Sequence, residues 1–426
     1  MQRSNLLFYP LCVLGAGLPV LALVAPKGMA ATMGVFGLIG LGGLVLDRRS
    51  VDLKHLRWEW LLPLVFLGYG AASWFWSLSP EGTLDAWPRL LGLAVAVGLA
   101  GLYAHRLAGG NRVSKRALVG FCRAIVLGYL LALVVLQFEL ITEGALYYNL
   151  TVYERTRPGL PPPYNQGLAA FVVITWPVLA AAWRGLGCRT WPVFAVWGLG
   201  LAGVLQGSSS TAALGMLGGG LALLLGLVWI KGLRIGAVLG LVVVGFGIPM
   251  FSLNPPMPKD VLPLLGYADE GEVKQHGRIN AVFPRLIIWD YVGDRIAERP
   301  LLGWGLGSSK HFTGKAEEKR HSDTGWSVVM ESLPLHPHNQ PLQWWLELGL
   351  LGAVMILFGG GVLLQRLIKV SGRLPSSLVH TAFVASMVMA CVNYSAWHSW
   401  WLGSLGICSV LLIFLITVRA APDDGV

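Results

Sequence analysis

Twelve stretches of this 426-residue chain are apolar over about the twenty residues that an α-helix needs to cross a hydrocarbon core of about 30 Å. They lie near 5–25, 29–46, 59–79, 88–105, 117–140, 167–183, 190–206, 211–230, 233–252, 341–364, 378–397 and 399–418. The runs are continuous rather than alternating, so helices are expected and a strand barrel is not. Composition agrees: 55% of residues are hydrophobic and 13% charged, against about 25% charged in soluble domains. A soluble globular protein, a disordered chain and a disulfide scaffold are all excluded. The expected fold is an all-α polytopic membrane protein of about twelve transmembrane helices.

The formal net charge of +10 would suggest a nucleic-acid partner in a soluble protein. Here its placement gives it another meaning. With the N-terminus inside, the inner side carries Arg3, Arg48, Arg49, Lys54, Arg57, Arg106, Arg112, Lys115, Arg116, Arg184, Arg189, Lys231, Arg234, Arg366, Lys369, Arg373 and Arg419. The short outer loops and helix ends carry only Lys27, Arg89, Arg155 and Arg157. The basic excess is therefore an orientation signal, with both termini expected on the cytoplasmic side and no nucleic acid as partner. The first span is long and Ala25-Pro26-Lys27 is a poor cleavage context, so it is expected to be a retained helix. No cysteine falls in an outer loop, so no disulfide is expected there.

Three parts follow: 1–252 with nine spans, an outer loop domain at 253–340 with short helices, and 341–426 with three spans and a cytoplasmic tail. The loop is long enough to demand a function. It opens on a Pro-rich turn, Asn254-Pro255-Pro256-Met257-Pro258. From Pro284 to Glu298 the apolar residues Leu286, Trp289, Val292 and Ile296 recur at helical spacing, and Pro300 stops the helix. A Gly-rich turn, Leu301 to Gly307, follows, and Leu335-His336-Pro337-His338-Asn339 leads into the tenth span. A second outer loop, about 141–166, carries Arg155, Arg157 and several prolines just before a helix.

His338 sits at the membrane boundary at a helix start. Its neutral imidazole either caps the helix or takes a proton from a hydroxyl. His336 is a rival, and Pro337 between them is expected to keep both side chains from pointing into one site. Arg155, Arg157 and Arg285 either line a phosphate site, for which a planar fork of donors is suited, or sit as interfacial and solvated charges. Glu347 lies nominally inside the tenth span, as either a functional group or a structural partner of the loop. Asp269, Glu270 and Glu272 read as a solvated turn. With no DxD pair or tight Asp/His cluster, no metal is expected. GMLGGG in the eighth span is expected to allow close helix packing, and Ser208-Ser209-Ser210 lacks the flanking pattern of a nucleophile elbow.

Taken together, His338-Asn339-x-x-Leu342-x-x-x-x-Glu347-x-Gly349 resembles the signature of the O-antigen ligase and polymerase superfamily. Arg285-x-x-x-Trp289 and Arg299-Pro300-Leu301-Leu302-Gly303-x-Gly305 are similar to that family's loop helix and turn. Arg157-Pro158-Gly159, with Asn165 six residues after the glycine, is similar to an earlier segment. Two departures stand out. Gln206 to Thr211 lacks an arginine beside its serines, and Tyr164-Asn165 replaces a Pro-Asn pair.

The resemblance implies a glycosyltransferase C (GT-C) fold with a long periplasmic loop between helices nine and ten, in a bacterial inner membrane. It implies metal-independent, inverting transfer of a glycan from undecaprenyl diphosphate, with no cofactor because the donor is already activated. For an O-antigen ligase the acceptor is a hydroxyl of the lipid A core oligosaccharide, completing lipopolysaccharide. His338 would be the general base, and Arg157 and Arg285, with Arg155 beside them, would bind the diphosphate. Asn339 is expected to orient the imidazole, and Glu347 and His336 to support it. The alternatives are an O-antigen polymerase, a protein O-glycan ligase and, from another class, a lipid-linked glycan transporter or flippase.

Overall fold

A backbone without water to bond must satisfy itself, and helices do so within one segment. The computed structural model describes residues 8–46, 59, 61–109, 113–150, 164–207, 209–253, 255, 283–312, 320–321, 326–327, 335–418 and 420–421. Its helices are α1 Phe8–Val24, α2 Met29–Leu46, α3 Leu61–Ala72, α4 Pro80–Gly109, α5 Lys115–Ile141, α6 Ala145–Leu150, α7 Asn165–Gly185 and α8 Trp191–Gln206. They continue as α9 Ser210–Val242, α10 Ile248–Ser252, α11 Phe283–Glu298, α12 Gln340–Leu367, α13 Arg373–Val392 and α14 Ser399–Thr417. Among the described residues, eight helical stretches are long and apolar enough to cross a membrane. Shorter apolar helices occupy Val13–Val24, Leu61–Phe75 and Trp191–Gln206. The chain is an all-α, multi-pass membrane protein; its described strands are two-residue pairs, such as Val113–Ser114 beside Ala420–Ala421.

Several expected boundaries change: 59–79 shortens to the helical stretch Leu61–Phe75, and 88–105 lies within the longer Pro80–Gly109. The stretches 211–230 and 233–252 form one continuous run, Ser210–Ser252, of 43 residues. It is interrupted only by non-helical backbone at Trp229 (φ −142°, ψ 78°) and a π-helical segment at Val243–Gly247. Hydropathy cannot tell a one-residue break from a loop, because both interrupt the apolar pattern equally. The stretch 378–397 is also too long: α13 ends at Val392, and 393–398 is a connecting loop before α14.

Helix α7 is the axis of the bundle. Nearly all of its side chains are buried, including Phe171, Trp176 and Leu179, and it packs against α1, α5, α8, α13 and α14. A helix apolar all round belongs inside other helices, whereas neighbours such as α4 and α5 leave apolar faces outward, as lipid permits. Close packing uses small residues, as expected for GMLGGG: a Cβ at Gly219 would overlap the Trp176 ring, and one at Gly220 would overlap Trp197. The α13 backbone lies against the same face of α9.

Two of the charges inside spans are bonded to the protein itself. Arg123 Nε donates to Gly185 O at 3.4 Å. Glu139 accepts from Leu146 N at 2.6 Å and from the Tyr164 hydroxyl. It thereby ties together the two ends of 151–163, a segment outside the described residues.

Candidate active site

The site is organised by the start of α12. Asn339 is its N-cap: Oδ1 accepts from Leu342 N at 3.2 Å, and its carbonyl accepts from Gln343 N at 3.1 Å. Pro341 in the first turn needs no donor there. The chain arrives through two residues in left-handed backbone, Leu335 (φ 47°) and His338 (φ 53°). Such a conformation costs about 1–3 kcal/mol for a non-glycine residue and persists only where its surroundings hold it. At His338 the holding contact is its own N–H, which donates to His336 Nδ1 at 3.1 Å. This reversal corrects the expectation for Pro337. The two imidazoles are not kept apart; their rings lie 4.4 Å apart.

The second wall is the 393–398 loop. Asn393 Oδ1 lies 3.0 Å from His338 Nδ1 and accepts from Tyr394 N at 2.9 Å. Asn393 Nδ2 donates to Thr211 Oγ1 at 3.3 Å, at the start of α9. The amide that meets the imidazole is therefore that of Asn393, not of the helix-capping Asn339. The Tyr394 hydroxyl donates to Asn165 O at 2.7 Å and is bonded to Ser209. His398 completes a histidine group, its ring 5.3 Å from that of His336, and its Nδ1 accepts from Ser395 N at 3.3 Å.

Burial sets the protonation of all three histidines. His338 is pushed below the ordinary imidazole value by burial, with the Asn393 bond opposing and the Arg285 charge adding to the shift. His336 is pushed down to about 3 by burial, then by His338 and His398. His398 is pushed down to about 4 by burial, then by Lys310, Arg89 and His338. All three are neutral bases at pH 7, and the Nδ1 lone pairs of His336 and His398 are occupied by backbone N–H groups.

The third wall is α11, whose sequence-predicted extent the structure matches closely. Leu286, Ile288, Tyr291, Val292 and Ile296 are buried, and Trp289 Nε1 donates to Pro337 O at 3.2 Å, fixing the helix to the His338 turn. Arg285, one turn from Trp289, is half-buried, and its charge bears on both His338 and Tyr394. Burial lowers its pKa while Tyr394 opposes; at neutral pH it remains a guanidinium cation. Burial likewise pushes the Tyr394 phenol up, so it stays a neutral donor. Arg155 and Arg157 lie outside the described residues.

Glu347 belongs to the scaffold of this site. It is fully buried and accepts four hydrogen bonds: from Gly307 N, from Ser309 Oγ at 2.5 Å, from Gln343 Nε2 at 2.8 Å and from Trp397 Nε1 at 2.7 Å. The Gly-rich turn runs alongside α12, with Trp304 N donating to Leu346 O at 2.9 Å and Gly305 N to Glu347 O at 2.8 Å. The helix opens to receive it at Gly349 (φ 62°, ψ −166°), a region that essentially only glycine adopts. Leu350 N then donates to Pro300 O at 2.8 Å.

Residues 193–357, which span α8 to most of α12 and include Arg285, His338 and Glu347, match the family model described as O-Antigen ligase. A protein of Rickettsia conorii named "Putative polysaccharide ligase" is 33% identical over 140 residues, covering 33% of this chain and 32% of that protein. Those of Rickettsia felis and Rickettsia prowazekii, with the same name, are 33% identical over 144 residues and 31% over 148. The likeness to that family covers residues 193–357 and, in those relatives, about a third of this chain. The matched part spans about a third of those relatives' length. The matched segment contains the base candidate, one arginine candidate and the Glu347 scaffold. Arg155 and Arg157 precede it, and the Asn393 loop follows it.

Proposed function

We propose that this chain is an O-antigen ligase of the bacterial inner membrane, with about twelve spans in a GT-C arrangement and its site facing the periplasm. It transfers O-antigen polysaccharide from undecaprenyl diphosphate to a sugar hydroxyl of the lipid A core. The observation that carries this reading is the docking of α11, which bears the half-buried Arg285, on the His338 turn through Trp289 Nε1 and Pro337 O at 3.2 Å, so that a guanidinium charge bears on the imidazole.

Arg285, joined by Arg157 and Arg155, binds the donor diphosphate and stabilises its charge as the anomeric C–O bond breaks. His338 takes the proton of the acceptor hydroxyl, whose oxygen attacks the anomeric carbon from the opposite face, inverting it. The arginines neutralise the charge on the leaving diphosphate, so the step is written without a metal. Asn339 supports the site as the cap of the helix that presents His338; Glu347 holds the wall of the site, and His336 the strained turn. An O-antigen polymerase or protein glycan ligase shares this chemistry and differs in acceptor. A transporter is disfavoured because Arg123, Glu139 and Glu347, three charges inside described spans, bond to the protein's own groups.

The test is transfer by purified, reconstituted protein supplied with the lipid-linked polysaccharide and lipid A core, with no ion gradient. Loss of a general base lowers the rate by about 10²–10⁴-fold, so His338→Ala is expected to insert normally and transfer at that reduced rate. Unchanged transfer in His338→Ala would refute the assignment, and product on the carrier rather than on lipid A core would make the protein a polymerase.

A further inference from the structure

We infer that Asn393 is the positioning residue that fixes the tautomer of His338, leaving the lone pair of Nε2 free to take the acceptor's proton. This inference rests on His338 being the base, and it names a residue outside the matched family segment.

The argument is one of donors and acceptors. Carbonyl and amino ends of an asparagine side chain are told apart by what they meet. The Tyr394 backbone N–H can only donate, and it points at one end of the Asn393 amide, 2.9 Å away. That end is therefore the oxygen. The other end meets Thr211 Oγ1, which is able to accept. The same oxygen lies 3.0 Å from His338 Nδ1. An oxygen held by one N–H and facing a ring nitrogen requires that nitrogen to carry its hydrogen. In a neutral imidazole with Nδ1–H, the basic lone pair is on Nε2.

Both partners are locked. Left-handed backbone at His338 and Tyr394 (φ 53° and 60°) turns the two loops toward each other. Tyr394 is anchored through its hydroxyl to Asn165 O, and Asn393 to the first turn of α9. The Ser209–Thr211 segment thus anchors the residue that aims the base, through Thr211 to Asn393 and Ser209 to Tyr394. The titratable groups around His338 among the described residues are His336 on its own loop, Arg285 on α11, and Tyr394 and His398 on the facing loop. None of them contacts Nδ1 in Asn393's place.

The experiment has two arms on the full-length reconstituted protein. Asn393→Asp keeps an oxygen facing Nδ1–H but adds a negative charge, which raises the imidazole's affinity for a proton. The acid limb of kcat/KM is expected to move to higher pH by about one unit, since an opposite charge at contact favours the charged form by that order. Asn393→Leu is expected to lose about 10- to 100-fold, the range typical when the outer partner of a functional histidine is removed. An Asn393→Asp profile whose acid limb stays in place overturns the proposal.

The second arm needs no variant at Asn393. Solid-state ¹⁵N NMR of histidine-labelled protein, differenced against His338→Ala, reads the tautomer of His338 directly. The Nδ1–H form is expected, and an Nε2–H form overturns the proposal. The two readings fail separately. If His338→Ala retains transfer, the base assignment falls while the NMR result stands; if it is inactive but the acid limb of Asn393→Asp is unmoved, only the role of Asn393 falls.

Discussion

Glu347 offers the sharpest energetic test, because every bond it makes is known. Two fixed N–H donors, from Gly307 and the Trp397 indole, meet Oε2; Ser309 and the Gln343 amide meet Oε1. In Glu347→Gln the new amide oxygen must take the Oε2 position, since neither donor there can turn away. Its NH₂ then faces Ser309, whose hydroxyl can rotate to accept, and Gln343 Nε2, which cannot. Gln343 cannot flip in compensation, because its oxygen accepts from Ala396 N at 2.9 Å and its nitrogen also donates to Ser395 Oγ at 3.0 Å.

One bond to a charged acceptor is therefore lost and three others lose their charge assistance. The lost bond costs about 1.5–3 kcal/mol and each of the other three about 0.5–2, so Glu347→Gln costs at least about 3 kcal/mol. Glu347→Ala strands three buried N–H donors at about 1–3 kcal/mol each, or about 3–9 kcal/mol in all. That approaches the whole stability of a typical fold, about 5–15 kcal/mol. In a tryptophan-fluorescence melt in detergent, Glu347→Gln is expected to lower Tm by about 4–10 °C, and Glu347→Ala is expected to give little folded protein. If Glu347→Ala melts within about 1 °C of the native chain, the carboxylate does not hold the Gly-rich turn and the reasoning is wrong.

The same turn depends on Gly349, where a Cβ would overlap Leu301 O in a backbone region closed to other residues. Gly349→Ala should therefore lose at least about 1–3 kcal/mol in the same melt, whereas alanine at the open position Gly359 should not. Stability should also fall in acid. His336 and His398 have folded pKa values of about 3 and about 4, below the ordinary 6.5, so the unfolded chain takes up protons first as pH falls below 6.5. Their contribution is complete above that pH and drains away down to about pH 3–4, with each histidine adding a slope of up to about 1.4 kcal/mol per pH unit. His336→Gln with His398→Gln should flatten that slope, as followed by melts between pH 7 and 4.

The helical, multi-pass character was legible because membrane helices announce themselves by length and hydropathy, and α11 because Pro284, Pro300 and a helical stripe bracket it. His338 and Arg285 were legible as residue types at a membrane boundary. Three features were not. The break at Trp229 disturbs the apolar pattern as a loop would. The left-handed turn that brings His336 against His338 depends on a hydrogen bond between neighbours, which spacing does not encode. The 393–398 loop was hidden because it is only six residues long and apolar runs close on both sides of it. The available signal was polar, since Asn393, Ser395 and His398 interrupt an otherwise apolar run within six positions.

That hidden loop explains why the scaffold and the chemistry of this site cannot be separated. Gln343 stands between them on α12. Its nitrogen reaches Glu347, which holds the Gly-rich turn, and Ser395, which belongs to the loop that carries Asn393. Its oxygen takes the backbone N–H of Ala396 in the same loop. A side chain with every polar end occupied in a buried place transmits displacement rather than absorbing it, because any shift leaves a donor or acceptor unpaired. Trp397 adds a second strut from that loop to Glu347. His338, Asn393 and the Gly-rich turn are thus joined through one helix. The stretch from His338 to Gly349 carries both ends of that connection: the imidazole at one end and, at the other, the carboxylate and the glycine against which the Gly-rich turn docks.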